Sequence, residues 1–98
     1  EVDGIFAGND QMALGILQTA SEIGKSIPSD LSIVGFDGVA ESEFYIPSLS
    51  TVYQNWDELG RIAVTELVSQ IKNKLTDNKT VEPKYITIKP ELIIRQSS

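Results

Sequence analysis

The chain has 98 residues, of which 41% are hydrophobic and 22% charged, a composition typical of one small globular domain or of a piece of a larger one. It contains neither cysteine nor histidine, which excludes disulfide frameworks, thiol nucleophiles, imidazole bases and the usual zinc ligands. Eight basic residues against fourteen acidic ones give a formal net charge of −6, so this segment by itself is expected to repel nucleic acid.

The first elements in chain order are a short strand and an amphipathic helix. Residues 2–8 (VDGIFAG) read as a strand with apolar residues at its centre. Asn9 and Asp10, both preferred helix N-cap residues, follow at once, and apolar side chains then recur at helical spacing as far as Ile23. Gly24 is a typical C-cap residue, so the helix is expected to end there.

The next element is a strand that ends on a carboxylate. Residues 31–38 (LSIVGFDG) form a nearly continuous apolar run bounded by turn residues, which favours a strand buried on both faces of a parallel sheet. Strand, helix and strand together make a βαβ unit. Asp37 falls where the strand ends, and in open α/β sheets ligands bind beyond the carboxyl ends of strands. Asp37 is therefore a candidate binding residue, although it could instead only cap the next turn.

The second half of the sequence predicts three further elements after one irregular turn. Residues 39–45 suit a single helical turn, and residues 49–53 alternate as a third strand. A helix is expected over about residues 55–75. A last stretch, residues 85–95, is rich in β-formers but is split by Pro90, which confines any pairing to a sheet edge or makes two short strands. The order β-α-β-β-α-β predicts an α/β fold with a mostly parallel sheet.

Polar side chains at the strand ends suit two kinds of site. Asp10 and Asp37 could hold Mg²⁺ in a phosphotransfer site, but no basic residue stands near either to steady a phosphate. Recognition of a polyol needs a carboxylate and an amide for the hydroxyl groups and an aromatic face for the C–H side of a ring. That set is provided by Asn9, Asp37, Gln54 and Trp56. Trp56 could equally be a core residue at the start of its helix.

Four stretches of the sequence carry a resemblance to a known family. They are residues 8–15 (GNDQMALG), 27–38 (IPSDLSIVGFDG), 46–63 (IPSLSTVYQNWDELGRIA) and 90–98 (PELIIRQSS). In this order and spacing they resemble the C-terminal part of the effector-binding domain of the lactose/galactose repressor family of bacterial transcription regulators. The first two stretches also resemble periplasmic sugar-binding proteins of the same fold, whereas the third favours the repressors.

The resemblance implies a fold and a division of the chain. The fold is the periplasmic-binding-protein-like (type I) α/β fold, a Rossmann-type sandwich with a mostly parallel sheet, of which this chain is the C-terminal portion only. Residues 1–53 would belong to the C-terminal effector-binding subdomain. Residues 54–83 would form the helix that crosses to the N-terminal subdomain, and residues 84–98 would return as the final strand.

The resemblance also implies roles for individual residues in effector binding. Asn9 and Asp37 match hydroxyl-binding residues of the family, and Gln54 lies at the crossover edge of the cleft. Trp56 occupies a position where the family often places an aromatic that stacks on the effector. Gly38 departs from the acidic residue common at its position, and Asn55 from a frequent Asp or Pro, so the match leaves the preferred sugar open.

A dimer face is implied as well, on the first helix and on the turn after the second strand. The matching residues are Leu14, Gln18, Glu41, Phe44 and Tyr45. The alternative is that Leu14, Phe44 and Tyr45 are ordinary core residues, but exposed aromatics after a short turn more often mark an interface.

The function implied by the resemblance is that of a cytoplasmic homodimeric regulator without enzymatic activity or cofactor. A sugar or sugar phosphate would bind in the cleft and thereby control operator binding by a helix-turn-helix headpiece absent from this chain. No apolar run approaches the length of a membrane span, so no membrane contact is expected. The alternatives are a periplasmic or lipoprotein sugar receptor of a transporter and, more distantly, a Mg²⁺-dependent phosphotransfer domain.

Overall fold

The computed structural model describes residues 1–77, 80 and 82–98, so residues 78, 79 and 81 of the predicted crossing segment lie outside the described part. The elements in chain order are β1 (Gly4–Phe6), α1 (Asp10–Glu22), β2 (Ser32–Asp37), a short 3₁₀ helix (Ala40–Phe44), β3 (Ser50–Tyr53), α2 (Trp56–Asp77) and β4 (Glu91–Ile93). The predicted α/β order is confirmed. Across the described residues, α1 is too short and α2 too polar for a transmembrane span.

The four strands found among the described residues form one sheet in the order β1-β2-β3-β4. β1 and β3 run parallel to β2, and β4 runs antiparallel to β3, which confirms the mostly parallel sheet. β4 lies at an edge and begins directly after Pro90, because proline has no backbone N–H for a ladder. In the register of β2 with β3, Asp37 lies opposite Tyr53, so the residues that follow β2 and β3 leave the sheet at the same edge.

The chain divides into two compact units, residues 1–54 with 90–98 and residues 55–89. The first unit contains the sheet and α1. The second contains α2, whose first turn is capped by Asn55: its Oδ1 accepts the backbone N–H of Glu58 at 3.0 Å. Assigning the units to two subdomains of a larger protein stays a prediction.

The core of the first unit lies between α1 and one face of the sheet. Five buried hydrophobic residues form one cluster there, Ala7, Ala13, Leu17, Ile33 and Leu49, and Ala20 of α1 is buried as well. Within this chain, the expectation that β2 is buried on both faces is not met: Ile33 and Gly35 are buried, whereas Val34 and Phe36 on the other face are only half-buried. The reason is that α1 packs on the Ile33 face.

The C-terminal residues close the sheet at the start of β2 and β3. Ser97 is fully buried and engages all of its polar groups there. Its hydroxyl donates to the Ile33 carbonyl at 2.6 Å and accepts the Ser50 backbone N–H at 2.8 Å. Its own carbonyl accepts the Ile33 N–H at 2.7 Å, and its N–H donates to the Ser48 carbonyl at 2.9 Å. Ser97 therefore joins two parallel strands where their direct pairing has not yet begun.

Replacing Ser97 with alanine is expected to lower the free energy of unfolding by about 1–3 kcal/mol, because buried groups of Ile33 and Ser50 lose the hydroxyl that pairs with them. Urea denaturation of the full-length gene product measures the loss. Ser98→Ala is the matched control, since exposed Ser98 contacts the Ser50 hydroxyl at 2.6 Å and should contribute less. Equal losses for the two variants would contradict the role of Ser97.

Candidate functional site

The backbone at the end of β2 adopts an unusual conformation. Asp37 has a φ of 106°, in a region of backbone conformation that residues other than glycine rarely adopt. Gly38 follows with a φ of 71°. A non-glycine residue in such a conformation costs about 1–3 kcal/mol and persists where the surrounding structure enforces it. Strain of this kind is concentrated at functional sites, so the conformation itself singles out Asp37.

Gln54 holds Asp37 from the end of β3. Its side-chain Nε2 donates to Asp37 Oδ1 at 3.1 Å, and its backbone N–H donates to the Asp37 carbonyl at 3.2 Å. Both side chains are half-buried. The structure thus brings together two of the four predicted binding residues, as a carboxylate oriented by an amide. Such a pair can accept hydrogen bonds from neighbouring hydroxyl groups.

Asn9 follows β1 and caps α1. Its Oδ1 accepts the backbone N–H of Met12 at 2.8 Å, so this oxygen is used by the helix terminus. The NH₂ group of Asn9 is therefore the part of the side chain suited to donate to a ligand.

Trp56 belongs to the second unit and is the first residue of α2. Its side chain is 47% exposed, which argues against the interpretation as a core residue.

Asp10 is fully buried at the first position of α1. Its Oδ1 accepts the Thr51 hydroxyl at 2.6 Å, and its Oδ2 accepts the backbone N–H of Val39 at 2.8 Å. Because the fold itself engages both carboxylate oxygens, Asp10 is unsuited to bind a metal ion as the phosphotransfer alternative requires. No group of three or more acidic, histidine or cysteine side chains is placed to hold a metal within the residues that the structure describes.

The neighbours of Asp10 were not identified from the sequence. A Cβ atom at Gly35 would overlap the Asp10 carboxylate and would lie 2.9 Å from Leu49 Cδ2. Thr51 is fully buried as the partner of Asp10. The available signals were a glycine inside an apolar strand, which often marks a close approach, and a polar residue within β3. Neither signal by itself pointed to Asp10.

An apolar groove of about 630 Å³ lies elsewhere in the first unit, beside α1. Its lining includes Ile5, Met12, Ile16 and Ile23, and none of the four predicted binding residues. Such a lining offers few of the oxygen and nitrogen atoms that a polyol requires. The candidate binding site is therefore the sheet edge that carries Asp37.

Comparison with known proteins decides the family. Residues 2–98 match the periplasmic binding protein-like domain. The HTH-type transcriptional repressor PurR of Haemophilus influenzae (strain PittEE) is 43% identical over 93 residues, which is 95% of this chain and 27% of that protein. The chain belongs to the lactose/galactose repressor family of periplasmic binding protein-like domains.

Solved structures of the family have the same fold. The LacI family regulator from Enterococcus faecalis V583 with bound ribose is 38% identical, with a TM-score of 0.82 over 96% of this chain and 33% of that one. The regulator from Arthrobacter sp. FB24 in complex with lactose is 35% identical, with a TM-score of 0.79 over 97% of this chain and 34% of that one. The chain therefore spans about a third of these proteins.

The resemblance implies a departure from the family pattern at Gly38, and the structure gives a physical reason for glycine at this position. A Cβ atom on Gly38 would lie 2.6 Å from Tyr53 Cδ2 and 2.8 Å from Tyr53 Cα, and the φ of 71° is itself unfavourable for other residues. Glycine at this position allows the turn to pack against Tyr53. An acidic side chain here would require a different turn from the one that carries Asp37.

The residues predicted for the family's dimer face differ in exposure. Leu14 is 44% and Phe44 is 76% exposed, so neither belongs to the core of the first unit. Gln18 and Glu41 are also exposed, and Gln18 donates to the Glu22 carboxylate at 2.9 Å. Their place in a dimer interface stays a prediction.

Tyr45 is half-buried and packs against the core of the first unit, so it is in part the core residue that the alternative assumed. Burial raises the pKa of the Tyr45 phenol, and the negative charges of Asp10 and Glu41 raise it further. The hydroxyl therefore stays protonated at neutral pH. The turn that carries Tyr45 is itself fixed by Arg95, whose guanidinium donates to Ser42 Oγ at 2.8 Å.

Proposed function

We propose that this chain is the effector-binding and dimerisation portion of a bacterial transcription regulator whose effector is a sugar or sugar phosphate. The single observation that carries the proposal is the Asp37 carboxylate, which is kept in a strained conformation and oriented by Gln54 at the edge where parallel strands end. The regulators similar to this chain include one with bound ribose and one in complex with lactose.

The proposed contacts follow from the chemistry of each side chain. Asp37 accepts hydrogen bonds from ring hydroxyl groups, and Gln54 keeps its carboxylate in place for them. Asn9 donates from its NH₂ group while its oxygen continues to cap α1. Trp56 is the aromatic proposed to cover the C–H face of the sugar.

The proposed mechanism is a change in population between two arrangements of the full-length gene product. The sugar stabilises one arrangement only to the extent that it binds that arrangement more tightly. A DNA-binding headpiece, as in the HTH-type repressor similar to this chain, then gains or loses operator affinity. By linkage, operator DNA changes the affinity for sugar by the same factor.

We also propose that two copies associate through Leu14, Gln18, Glu41, Phe44 and Tyr45, and that such a regulator acts in the cytoplasm.

The test is a calorimetric titration of the full-length gene product with D-ribose, lactose and a wider panel of monosaccharides, disaccharides and sugar phosphates. We expect one sugar to bind and to change the affinity for the promoter DNA of the protein's own operon. We also expect that DNA to change the sugar affinity by an equal factor. Binding of planar heterocycles in place of every sugar would contradict the ligand class, and sugar binding without any effect on DNA would contradict the regulatory role.

A further inference from the structure

We propose that Asp10 is a positioning residue of the effector site: it does not contact the effector but holds the turn that aims Asp37 at it. The inference rests on the proposed role of Asp37. It assigns a function in ligand affinity to a buried carboxylate that the contacts proposed above do not use.

Asp10 connects three parts of the first unit that are distant in sequence. It is the first residue of α1, it binds Thr51 in β3, and it binds Val39 in the turn that follows β2. The two partners lie 41 and 29 positions away along the chain. A single side chain thus ties the helix after β1 to β3 and to the turn that follows β2.

The bond to Val39 fixes the strained turn at its far end. Asp37 and Gly38 both have positive φ angles, and Val39 comes directly after them. On the near side, the Gln54 N–H holds the Asp37 carbonyl at 3.2 Å. On the far side, Asp10 Oδ2 holds the Val39 N–H at 2.8 Å. A non-glycine residue keeps such a conformation only while its surroundings enforce it, so the turn should relax when the far restraint is removed. Relaxation would reorient the Asp37 side chain.

The surroundings of Asp10 show why water cannot easily take its place when the side chain is removed. The carboxylate is fully buried, and it occupies the space that a Cβ atom at position 35 would need if Gly35 were replaced. Leu49, a core residue, also approaches this position. Water therefore has little room to take over the hydrogen bonds that the carboxylate accepts, and bonds to a charged acceptor are stronger than those between neutral groups.

The decisive comparison is between variants that lose stability at different places. Asp10→Ala removes both hydrogen bonds, including the one to Val39. Ser97→Ala also removes buried hydrogen bonds, but at the opposite end of β2 and β3 from Asp37. Thr51→Val removes the bond to Asp10 Oδ1 and leaves the bond to Val39. Asp10→Asn is the conservative variant, since its amide oxygen can accept the Val39 N–H while its NH₂ group donates to the Thr51 hydroxyl.

The affinities of the full-length gene product for D-ribose and lactose are measured by calorimetry for the wild type and each variant. For whichever sugar binds, Asp10→Ala is expected to weaken binding at least tenfold. Ser97→Ala, Thr51→Val and Asp10→Asn should each remain within threefold of the wild type. If the role of Asp10 were merely structural, Asp10→Ala and Ser97→Ala would weaken sugar binding equally when compared at equal losses of stability. Equal weakening would therefore overturn the inference.

Hydrogen exchange at the Val39 amide is the second measurement, and it needs no ligand. The Val39 N–H should be protected in the wild type and in Ser97→Ala, and Asp10→Asn should retain that protection. A Val39 amide that exchanges as fast as an unstructured one in the wild type would overturn the inference, even if Asp10→Ala cannot be purified in folded form. Failure of the wild type to bind any sugar of the wider panel would instead overturn the proposed function and leave the exchange result to decide the role of Asp10 in the turn.

Discussion

Replacing Asp37 with alanine is expected to lower the affinity of the full-length gene product for the proposed sugar effector by about 100-fold. Hydrogen bonds to a charged acceptor contribute about 1.5–3 kcal/mol each, and about 1.4 kcal/mol corresponds to a tenfold change in affinity, so the loss of two such bonds accounts for the effect. Calorimetric titration measures it. Asp37→Asn keeps the shape of the side chain but loses its charge, and is expected to bind about tenfold more weakly than the wild type.

Asp37→Gly separates the loss of binding from a loss of folding. Glycine adopts a φ of 106° without the strain that aspartate bears there, so this variant should be as stable as the wild type or up to about 1 kcal/mol more stable. Its effector affinity should nevertheless fall as far as that of Asp37→Ala. Binding and stability that move in opposite directions cannot both result from unfolding. Undiminished sugar affinity in all three variants would show that Asp37 is not part of the site.

Replacing Gly35 with alanine is expected to lower the free energy of unfolding by about 3–4 kcal/mol. The added Cβ would overlap the Asp10 carboxylate and press on Leu49, and overpacking of this kind costs about 1–3 kcal/mol. Displacement of Asp10 would also weaken its hydrogen bonds to Thr51 and Val39, which adds to the loss. Urea denaturation of the full-length gene product, with thermal unfolding as a second measure, tests the prediction.

Gly15 provides the matched control for Gly35. It lies inside α1, and a Cβ atom there would meet nothing within 4 Å. Gly15→Ala should therefore stabilise the protein by about 0.5–1 kcal/mol, because alanine has the higher helix propensity. Opposite signs for the same chemical change would attribute the Gly35 effect to the Asp10 contact. If both variants lost a similar free energy of unfolding, the Gly35 effect would instead reflect a general intolerance of alanine in place of glycine.

Much of the fold was predictable because its signals are local. The helix start at Asn9 depends on a side chain that binds a backbone N–H only three residues further on. The end of β2 at Asp37 is marked by the change from an apolar run to turn residues. Gln54 was predicted only as a polar residue that follows a strand, and its approach to Asp37 depends on the pairing of β2 with β3.

The errors and omissions concern contacts between residues that are distant in sequence. The apolar run of β2 predicted burial on both faces, but the composition of a strand does not tell which of its faces receives a helix. Asp10 looked like an accessible carboxylate at a strand end, and its burial became evident only from Thr51 and Val39. Ser97 carried no sequence signal, although it joins β2 to β3.

The sequence by itself thus determined the order of the elements and the family, because short-range patterns and characteristic motifs encode them. It also predicted the residues that we propose for the binding edge. Only the tertiary structure decided the strained backbone of Asp37, the burial of Asp10 against Gly35 and the bridging by Ser97. The physical reason is that each of these depends on which distant backbone groups and side chains the folded chain brings within hydrogen-bonding or van der Waals distance, and no local pattern records that.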